Sequence, residues 1–320
     1  MTSTHLNERG IALILVLLMV SVIVAVTIQL NRSTRSEVYD AANLSDGIRM
    51  RYIAESGFYA GEALLLADKN PFDALTEDWA KTEMLALKSE EFFDNGSFNL
   101  TIEDEGGKIN VNLIVSNTNV RGAFVNLLKG PLRMPPHQAD ELVNAITDWI
   151  DTNSDLTEPG GAESGYYAGL DKPYAAKNAP LDCIEELLMV KGVTRELFYG
   201  TAESSGLVRC LTVFGDGTIN INTAPEPVLR ALSAEMTDDA VQLLDEYRRD
   251  EKNNLADPNW YKQVKGATDL NIPAGLASIR SNTFRITAIG LQGKMAQRIT
   301  AVVKRSADRK MANLLSWRVD

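Results

Sequence analysis

Few residues in this chain suit acid–base or metal chemistry. Its 320 residues include two histidines and two cysteines, and His5 lies in a short polar segment before the first apolar run. If that segment is removed, His137 is the only imidazole left to act as a base. No Ser/His/Asp or Cys/His arrangement suggests itself. The sequence gives little support to catalysis, and a membrane-anchored hydrolase that uses His137 is kept only as an alternative.

The two cysteines, Cys183 and Cys210, both follow the apolar N-terminal segment. If they were paired, the closed loop would stabilise the fold by about 3 to 4 kcal/mol through chain entropy. An oxidising compartment such as the periplasm would permit that bond. Two unpaired buried thiols fit the sequence equally well, because spacing does not reveal the distance between them.

Positive charge is also scarce, with 32 Lys and Arg against 43 Asp and Glu and a net charge of -11. An acidic surface repels phosphate backbones. The segments Lys191–Thr194 and Lys265–Thr268 are similar to turns of helix-hairpin-helix modules, but each offers one glycine where DNA-binding turns have Gly-x-Gly. We therefore expect no nucleic-acid partner. A membrane-anchored helix-hairpin-helix protein of the DNA-uptake type is the alternative function.

Charged residues are absent from a long stretch near the N-terminus. An apolar run from Ile11 to Ile28 starts directly after Gly10. A secretory signal has its small-residue cleavage site after the apolar core, whereas here the small residue precedes it. Cleavage between Gly10 and Ile11 would leave a new ammonium on a helix that stays in the mature protein, as in type IV prepilins. An uncleaved anchor is the alternative, since 18 residues span about 27 Å.

Leu15 is the fifth residue after the predicted cleavage site, where prepilins usually have Glu. A carboxylate there can meet the terminal ammonium of a neighbouring subunit inside an apolar filament core, where a lone charge is costly. A subunit with nothing stacked above it has no ammonium to neutralise. Leu15 therefore predicts a position at the filament tip.

Proline is absent before Pro71, so residues 11 to about 67 are predicted to form one helix on the order of 85 Å long. Beyond the apolar run, apolar residues recur at steps of three, four and seven and form one amphipathic face. We expect this face to pack on a globular domain. Its members are Val38, Ala41, Leu44, Ile48, Tyr52, Tyr59, Ala63 and Leu66.

Alternating polar and apolar residues predict two hairpins. The first joins residues 97–104 to residues 108–113 through the turn at 105–107, and the second joins residues 284–289 to residues 297–303. The long segment between the hairpins is mostly helical in pattern. We interpret it as an insertion into a domain made of one long helix and an antiparallel sheet.

The insertion contains an internal repeat. Ile109–Asn112 recurs as Ile219–Asn222, and each copy continues with a short apolar helix, an acidic helix and a Val-Lys-Gly turn. The corresponding segments are 120–128 and 226–232, 140–151 and 239–250, and 190–192 and 264–266. Two stacked copies of one small helical unit explain this pattern most economically.

The first copy has an extra loop, residues 151–180, that is rich in oxygen ligands. Three of them fall at alternate positions, as in loops that wrap a hard cation. The loop is not an EF-hand, because Leu156 and Ala162 stand where that motif needs Gly and Glu. We predict a calcium site, with a solvated acidic loop as the alternative. The predicted ligands are Asp151, Asn153, Asp155, Glu158 and Glu163.

Together these motifs resemble the K-type minor pseudopilin family of type II secretion systems. The resemblance rests on the junction at 8–13 with Leu15, and on segments 102–112, 148–151, 161–167 and 219–225. It implies an α+β fold: a pilin-like long N-terminal helix on an antiparallel sheet, with a large inserted all-α domain. That domain would hold two sterile-alpha-motif-like or helix-hairpin-helix-like repeats and bind calcium. The resemblance also implies cleavage and N-methylation at Ile11 by prepilin peptidase.

The predicted organisation follows from these motifs. It comprises a cleaved leader (1–10), a transmembrane or filament-core helix (11–30), the first part of the pilin-like domain (31–113), the first repeat with the acidic loop (114–209), a strand returning to the sheet (210–222), the second repeat (223–280) and the C-terminal strands (281–320).

The predicted function is that of a non-enzymatic minor pseudopilin that initiates or caps the pseudopilus for protein export across the outer membrane. The expected partners are the I- and J-type minor pseudopilins and other pseudopilins. Contact with the secretin or with exported substrate is left open. We expect a single-pass protein of the inner membrane with most of its chain in the periplasm and, after assembly, a place at the pseudopilus tip.

Overall fold

The computed structural model describes residues 8–320, so residues 1–7 of the predicted leader lie outside the described part. The helices are α1 (Glu8–Ala67), α2 (Glu83–Lys88), α3 (Thr118–Lys129), α4 (Pro136–Ile150), α5 (Ser164–Ala168), α6 (Arg195–Tyr199), α7 (Leu207–Cys210), α8 (Glu226–Ala231) and α9 (Asp238–Arg249). The strands are β1 (Ser97–Asp104), β2 (Ile109–Asn110), β3 (Leu211–Thr212), β4 (Ile219–Asn220), β5 (Ala277–Ser278), β6 (Thr283–Gln292), β7 (Met295–Arg305) and β8 (Ala312–Val319).

Helix α1 is a single uninterrupted helix of 60 residues, as the missing proline predicts. Every residue from Gly10 to Ser45 is exposed, and burial begins near Met50. Within residues 8–320, α1 is the one helix long and apolar enough to cross a membrane. The helix therefore has a free N-terminal half and a packed C-terminal half.

The face of α1 that packs on the sheet is not the predicted one. Leu44, Ile48, Tyr52 and Tyr59 are all exposed, at 49 to 66% of their surface. The buried face instead holds Met50, Ile53, Ala54, Gly57, Phe58, Gly61 and Leu65.

Small residues explain which face of α1 packs. A Cβ added at Gly57 would lie 3.0 Å from the Phe98 ring, and one at Gly61 would lie 3.1 Å from Ile286. The helix and the sheet therefore approach too closely for the bulky side chains of the predicted face.

The main sheet is antiparallel with strand order β1-β6-β7-β8. Its helix-facing side and α1 enclose one core, which includes Phe98, Ile286 and Val303. A Cβ at Gly290 of β6 would lie 2.2 Å from the Met50 carbonyl oxygen, so this position needs glycine. The helix and the sheet together form a pilin-like domain.

The C-terminal hairpin is confirmed, because β6 pairs with β7 along its whole length. The first predicted hairpin is wrong. Strand β1 pairs with β6, and a 3-10 turn at Glu105–Gly107 takes the chain out of the sheet. The Asp104 carboxylate accepts a hydrogen bond from Gly106 N at 2.7 Å and fixes this turn. The chain then enters the insertion instead of returning along β1.

The two predicted repeats are present as two packed helix pairs. Helix α3 packs on α4, α8 packs on α9, and α3 also packs on α8 across the repeat boundary. The turns at Gly192 and Gly266 have matching φ angles of 86° and 85°. One hydrophobic core runs through both copies.

Residues 210–222 do not return to the main sheet, so that prediction is wrong. Strand β3 pairs in parallel with β2, and β4 pairs in parallel with β5. Each copy thus begins with an Ile-Asn strand, and this strand pairs with the last strand of the same copy. The side chains of Ile109 and Ile219 are 0% and 1% exposed in the insertion core, which keeps both strands there.

Candidate functional site

The acidic loop of the first repeat is anchored at its base by buried side chains. Asp148, at the end of α4, is fully buried and accepts a hydrogen bond from Thr157 N at 3.2 Å. Asn144 Nδ2 donates to Pro159 O at 3.0 Å. Lys191 Nζ donates to Gly160 O at 3.0 Å, so the Val-Lys-Gly turn also holds the loop. Segment 157–161 is therefore fixed against the repeat.

Two glycines make this close approach possible. Gly160 has a φ of 82°, and a Cβ there would lie 2.3 Å from the Glu141 side chain. A Cβ at Gly161 would lie 2.2 Å from Asp148 Oδ2. Any larger residue would push the loop away from α4.

The first predicted ligands form a series of side-chain turns. Asn153 N donates to Asp151 Oδ1 at 3.3 Å, and Asp155 N donates to Asn153 Oδ1 at 2.6 Å. Asp151 is half-buried, whereas Asn153, Asp155 and Glu158 are exposed. Burial raises the pKa of Asp151, and the nearby Asp148 and Asp155 carboxylates act in the same direction. This segment gathers negative charge at the loop entrance.

Glu163 is the most deeply buried of the five predicted ligands. Its side chain is buried, and both carboxylate oxygens lack a hydrogen-bond partner. Burial raises its pKa, and the charges of Asp148 and Asp151 raise it further. The Ser164 N–H and the Asn178 amide lie near enough to lower that pKa in part, but neither makes a hydrogen bond of normal geometry to the carboxylate. A buried carboxylate without a donor is costly unless a cation balances it. The donor set therefore fits a hard cation.

Asn178 is a further acceptor that the sequence analysis missed. Its Nδ2 donates to Asn153 O at 2.7 Å, while its buried Oδ1 has no partner. It lies against Glu163 although 15 positions separate them in the chain. No spacing rule joins two residues across an irregular loop. A positive φ of 49° at an asparagine is the local feature that marks the position.

The loop acids have not converged on one point. Within residues 8–320, the acidic group whose ligand atoms all lie within 4.8 Å of one another is Asp68, Asp73 and Glu77, near the end of α1. Arginine side chains already form ion pairs with two of these three carboxylates. Arg305 pairs with Asp68 at 3.0 Å and with Asp73, and Arg309 pairs with Asp68 at 2.8 Å. We therefore interpret it as an ion-pair network that joins α1 to β7.

The two cysteines are both free thiols in this structure. Cys183 is exposed, whereas Cys210 is 0% exposed within the insertion core. Burial raises the pKa of Cys210 to about 12, which keeps its thiol protonated. His137 is exposed in the first turn of α4. Its side chain has no hydrogen bond to any residue in the range 8–320.

The predicted processing residues lie on the free half of α1. The helix runs through the Gly10–Ile11 junction, and the side chains of Ile11 and Leu15 are 48% and 59% exposed. Cleavage at this junction stays a prediction. The same holds for the role of Leu15 at a filament tip.

Comparison with known sequences identifies relatives along most of the chain. Two family models, both described as type II secretion system protein K, match residues 107–200 and residues 219–270, which cover most of the two repeats. The protein of that name from Aeromonas hydrophila is 27% identical over 96% of both chains. Its namesake from Pseudomonas aeruginosa is 26% identical over 95% of this chain and 91% of its own.

Comparison with solved structures supports the same fold. A chain of the GspK–GspI–GspJ complex of the type 2 secretion system from enterotoxigenic Escherichia coli superposes with a TM-score of 0.59. The match covers 90% of this chain and 99% of that chain, at 18% sequence identity. At that identity the likeness establishes the fold: a pilin-like domain with an inserted helical domain.

Proposed function

Because the chain belongs to the type II secretion system protein K family, we propose that it is a minor pseudopilin at the tip of the pseudopilus. In this role it initiates or caps filament assembly for export of proteins across the outer membrane. It is a structural subunit without catalytic activity of its own. The exposed apolar half of α1 carries the proposal.

That half of α1 has no partner within the chain. From Gly10 to Ser45 no residue is buried, and the large apolar side chains from Ile11 to Leu30 are 48 to 69% exposed. Such a surface is stable only in lipid or against other apolar helices. A helix first held in the membrane and later packed in a filament core meets both conditions. Leu15 adds no charge to that core.

The exposed stripe of α1 formed by Leu44, Ile48, Tyr52 and Tyr59 offers the contact for partner pseudopilins. It points away from the sheet and continues the apolar surface of the N-terminal half toward the globular domain. The similar chain of known structure is in complex with GspI and GspJ. We propose that I- and J-type minor pseudopilins pack their own long helices on this stripe. Other pseudopilins then follow below them.

The same helix defines the proposed location. The protein is inserted in the inner membrane by residues 11–30, and the domains after the helix lie in the periplasm. Prepilin peptidase removes residues 1–10 and methylates Ile11. Contact with the secretin or with exported substrate is a further proposal that rests on the tip position alone.

We also propose calcium as the cation of the acidic loop. Glu163, Asp151 and Asn178 supply the buried or half-buried oxygens, and Asn153, Asp155 and Glu158 supply the exposed ones. Calcium accepts six to eight such oxygens in a flexible loop. Its binding would draw the acids together and neutralise the charge that now raises the pKa of Glu163.

Processing of the N-terminus tests the pilin assignment. We expect the mass of the protein purified from cells with prepilin peptidase to correspond to a chain that starts at methylated Ile11. The same protein from cells without the peptidase should retain residues 1–10. An identical mass in both strains would contradict the proposal.

The tip position has its own test at residue 15. Leu15→Glu should place an unpaired carboxylate in the apolar core and lower export into the medium, because no ammonium is stacked above the tip. Leu15→Ile keeps the apolar character and should export normally. Normal export by the Glu variant, with copies found throughout the filament, would contradict a tip role.

A further inference from the structure

The two edges of the main sheet differ in how their backbone groups are satisfied. At the β1 edge, side chains from the segment that precedes β1 hydrogen-bond to the outward backbone groups of the strand. Ser89 Oγ accepts from Phe98 N at 2.9 Å, and Thr82 Oγ1 donates to Leu100 O. The β8 edge has no such cover: no side chain from residues 8–320 hydrogen-bonds to the backbone of Ala312–Val319. The sheet is open on one side only.

The open edge is apolar as well as uncovered. Leu314, Leu315 and Val319 of β8 are 54%, 45% and 39% exposed, and Met311 just before the strand is 61% exposed. Proteins usually protect an edge of this length with charges, proline or a bulge. Here the exposed Arg318 within β8 and a register shift opposite Val302 and Val303 are the protective features. The register shift leaves paired segments on both sides that can accept another strand.

The charges near β8 indicate what kind of strand could pair with this open edge. Residues 294–320 contain seven Lys and Arg against two Asp in a chain whose net charge is -11. Two of the seven, Arg305 and Arg309, pair with Asp68 and Asp73 and add no free charge to the edge. Arg298 and Lys304 are exposed on β7, beside β8. The Arg318 side chain is 55% exposed and pairs with Glu185 at 3.3 Å and with Asp320 at 2.9 Å. Lys310 is 80% exposed and lies 4.0 Å from Asp308. A strand that carries acidic residues would meet opposite charge along this edge.

We propose that β8 is a docking edge that adds an extended, acidic and apolar strand from a partner protein to the sheet. The main-chain hydrogen bonds would come from the outward backbone groups of β8. Apolar side chains of the added strand would cover Leu314 and Val319. Its carboxylates would face Arg298 and Lys304 on β7 and Arg318 on β8. This docking edge is separate from the α1 stripe, so the outcome of its test does not decide whether partner pseudopilins pack on α1.

Val319 gives a substitution that blocks the edge without breaking the sheet. Arg298 and Asp320 exchange two backbone hydrogen bonds, at 3.0 and 2.9 Å. In an antiparallel pair the next residue along the strand then has its N–H turned outward, so the N–H of Val319 faces the open edge. Val319→Pro removes that donor and no bond of the β7–β8 pair. Val319→Ala is the matched control, because it shortens the side chain and keeps the donor.

The test uses the full chain in detergent micelles and two synthetic ten-residue peptides. One alternates valine with glutamate and the other alternates valine with lysine, and binding is followed by fluorescence anisotropy. We expect the glutamate peptide to bind at least tenfold more tightly than the lysine peptide. Val319→Pro should weaken binding of the glutamate peptide at least tenfold, whereas Val319→Ala should change it by less than threefold.

Several outcomes would overturn the proposal. Equal affinity for the two peptides would remove the charge argument, and full binding by Val319→Pro would remove the strand-addition argument. The melting temperature of Val319→Pro checks that the sheet is intact; if it falls, Leu314→Lys replaces it as the edge variant. If the chain alone forms a dimer in ultracentrifugation that Val319→Pro dissociates, a second copy is the occupant and the proposal is wrong.

Discussion

The two repeats of the insertion share one plan but differ in how completely they satisfy their own polar groups. In the second repeat, Trp260 Nε1 donates to Asn222 Oδ1 at 2.7 Å, and Arg248 donates to Asp245 Oδ1 and to Ile221 O. In the first repeat, Trp149 Nε1 and both oxygens of Glu163 are buried without a partner.

The difference follows from the extra loop of residues 151–180. Without such a loop, the second repeat closes on its own side chains and serves as a structural unit. The first repeat lacks some of these internal hydrogen bonds and has buried acceptors without donors instead. An unsatisfied buried group in a native protein calls for an outside partner. The same fold unit therefore satisfies its buried polar groups in one copy and leaves acceptors without donors in the other, where we propose that calcium binds.

The attachment of the second repeat to the sheet should depend on pH. Asp104 Oδ2 accepts from Ser281 and Thr223 hydroxyls and from Asn220 Nδ2. Burial raises the pKa of Asp104 to about 6, against the lowering effect of these hydroxyls. Its contribution to stability is therefore present at about pH 4 and is lost as the pH rises through 6.

Asp104→Asn removes this titration. Urea unfolding at pH 4.5 and pH 7 should show that the wild-type protein loses stability relative to the variant as the pH rises, by on the order of 2 to 3 kcal/mol. A difference between the two proteins that is the same at both pH values would show that Asp104 does not titrate in this range.

Calcium should stabilise the chain through the first repeat alone. At a calcium concentration 100 times the dissociation constant, the expected gain in the free energy of unfolding is about 2.7 kcal/mol. Asp155→Ala should abolish the calcium-dependent rise in Tm, and Asp250→Ala at the end of α9 should leave it intact. Melting curves of the wild-type protein that are identical with calcium and with chelator would refute the site.

In the first repeat, the stability lost when a loop glycine is replaced should depend on how closely other atoms approach it. Gly161→Ala forces a Cβ against Asp148 and should cost about 2 kcal/mol through strain. Gly165 has open space around its Cα in the same repeat, so Gly165→Ala should be close to neutral. Thermal unfolding of the two variants compares them directly. Equal stability would show that the loop is not held against α4.

The two buried tryptophans provide the smallest and most direct comparison between the repeats. Trp260→Phe leaves Asn222 Oδ1 without its donor, whereas Trp149→Phe deletes an N–H that has no partner. Trp260→Phe should therefore destabilise the chain by about 1 to 2 kcal/mol more than Trp149→Phe. Urea unfolding measures both. A larger loss for Trp149→Phe would indicate that its N–H has a partner after all.

Sequence periodicity predicted the elements of this fold better than their pairing. The long helix, the C-terminal hairpin and the two repeats are confirmed, because proline absence, strand alternation and repeated motifs act within short segments. The partner of β1 could not be predicted, since a strand's neighbour is fixed by contacts almost 200 residues away along the chain. The packed face of α1 was wrong because two glycines outweighed a stripe of larger apolar residues.

The candidate site was predictable in part for the same reason. Regular spacing marked Asp151, Asn153 and Asp155 as a ligand series, and their turn structure is present. Asn178 was missed because it reaches Glu163 through the folded loop. The cysteines showed no local pattern that separates a pair from two free thiols, and the buried position of Cys210 depends on the whole insertion core.

In the proposed role this protein ends a filament. Immunogold labelling of an epitope on the inserted domain, imaged on isolated pseudopili, tests that position. We expect gold at one extremity of each filament and none along the shaft. Gold distributed along the shaft would contradict the tip position.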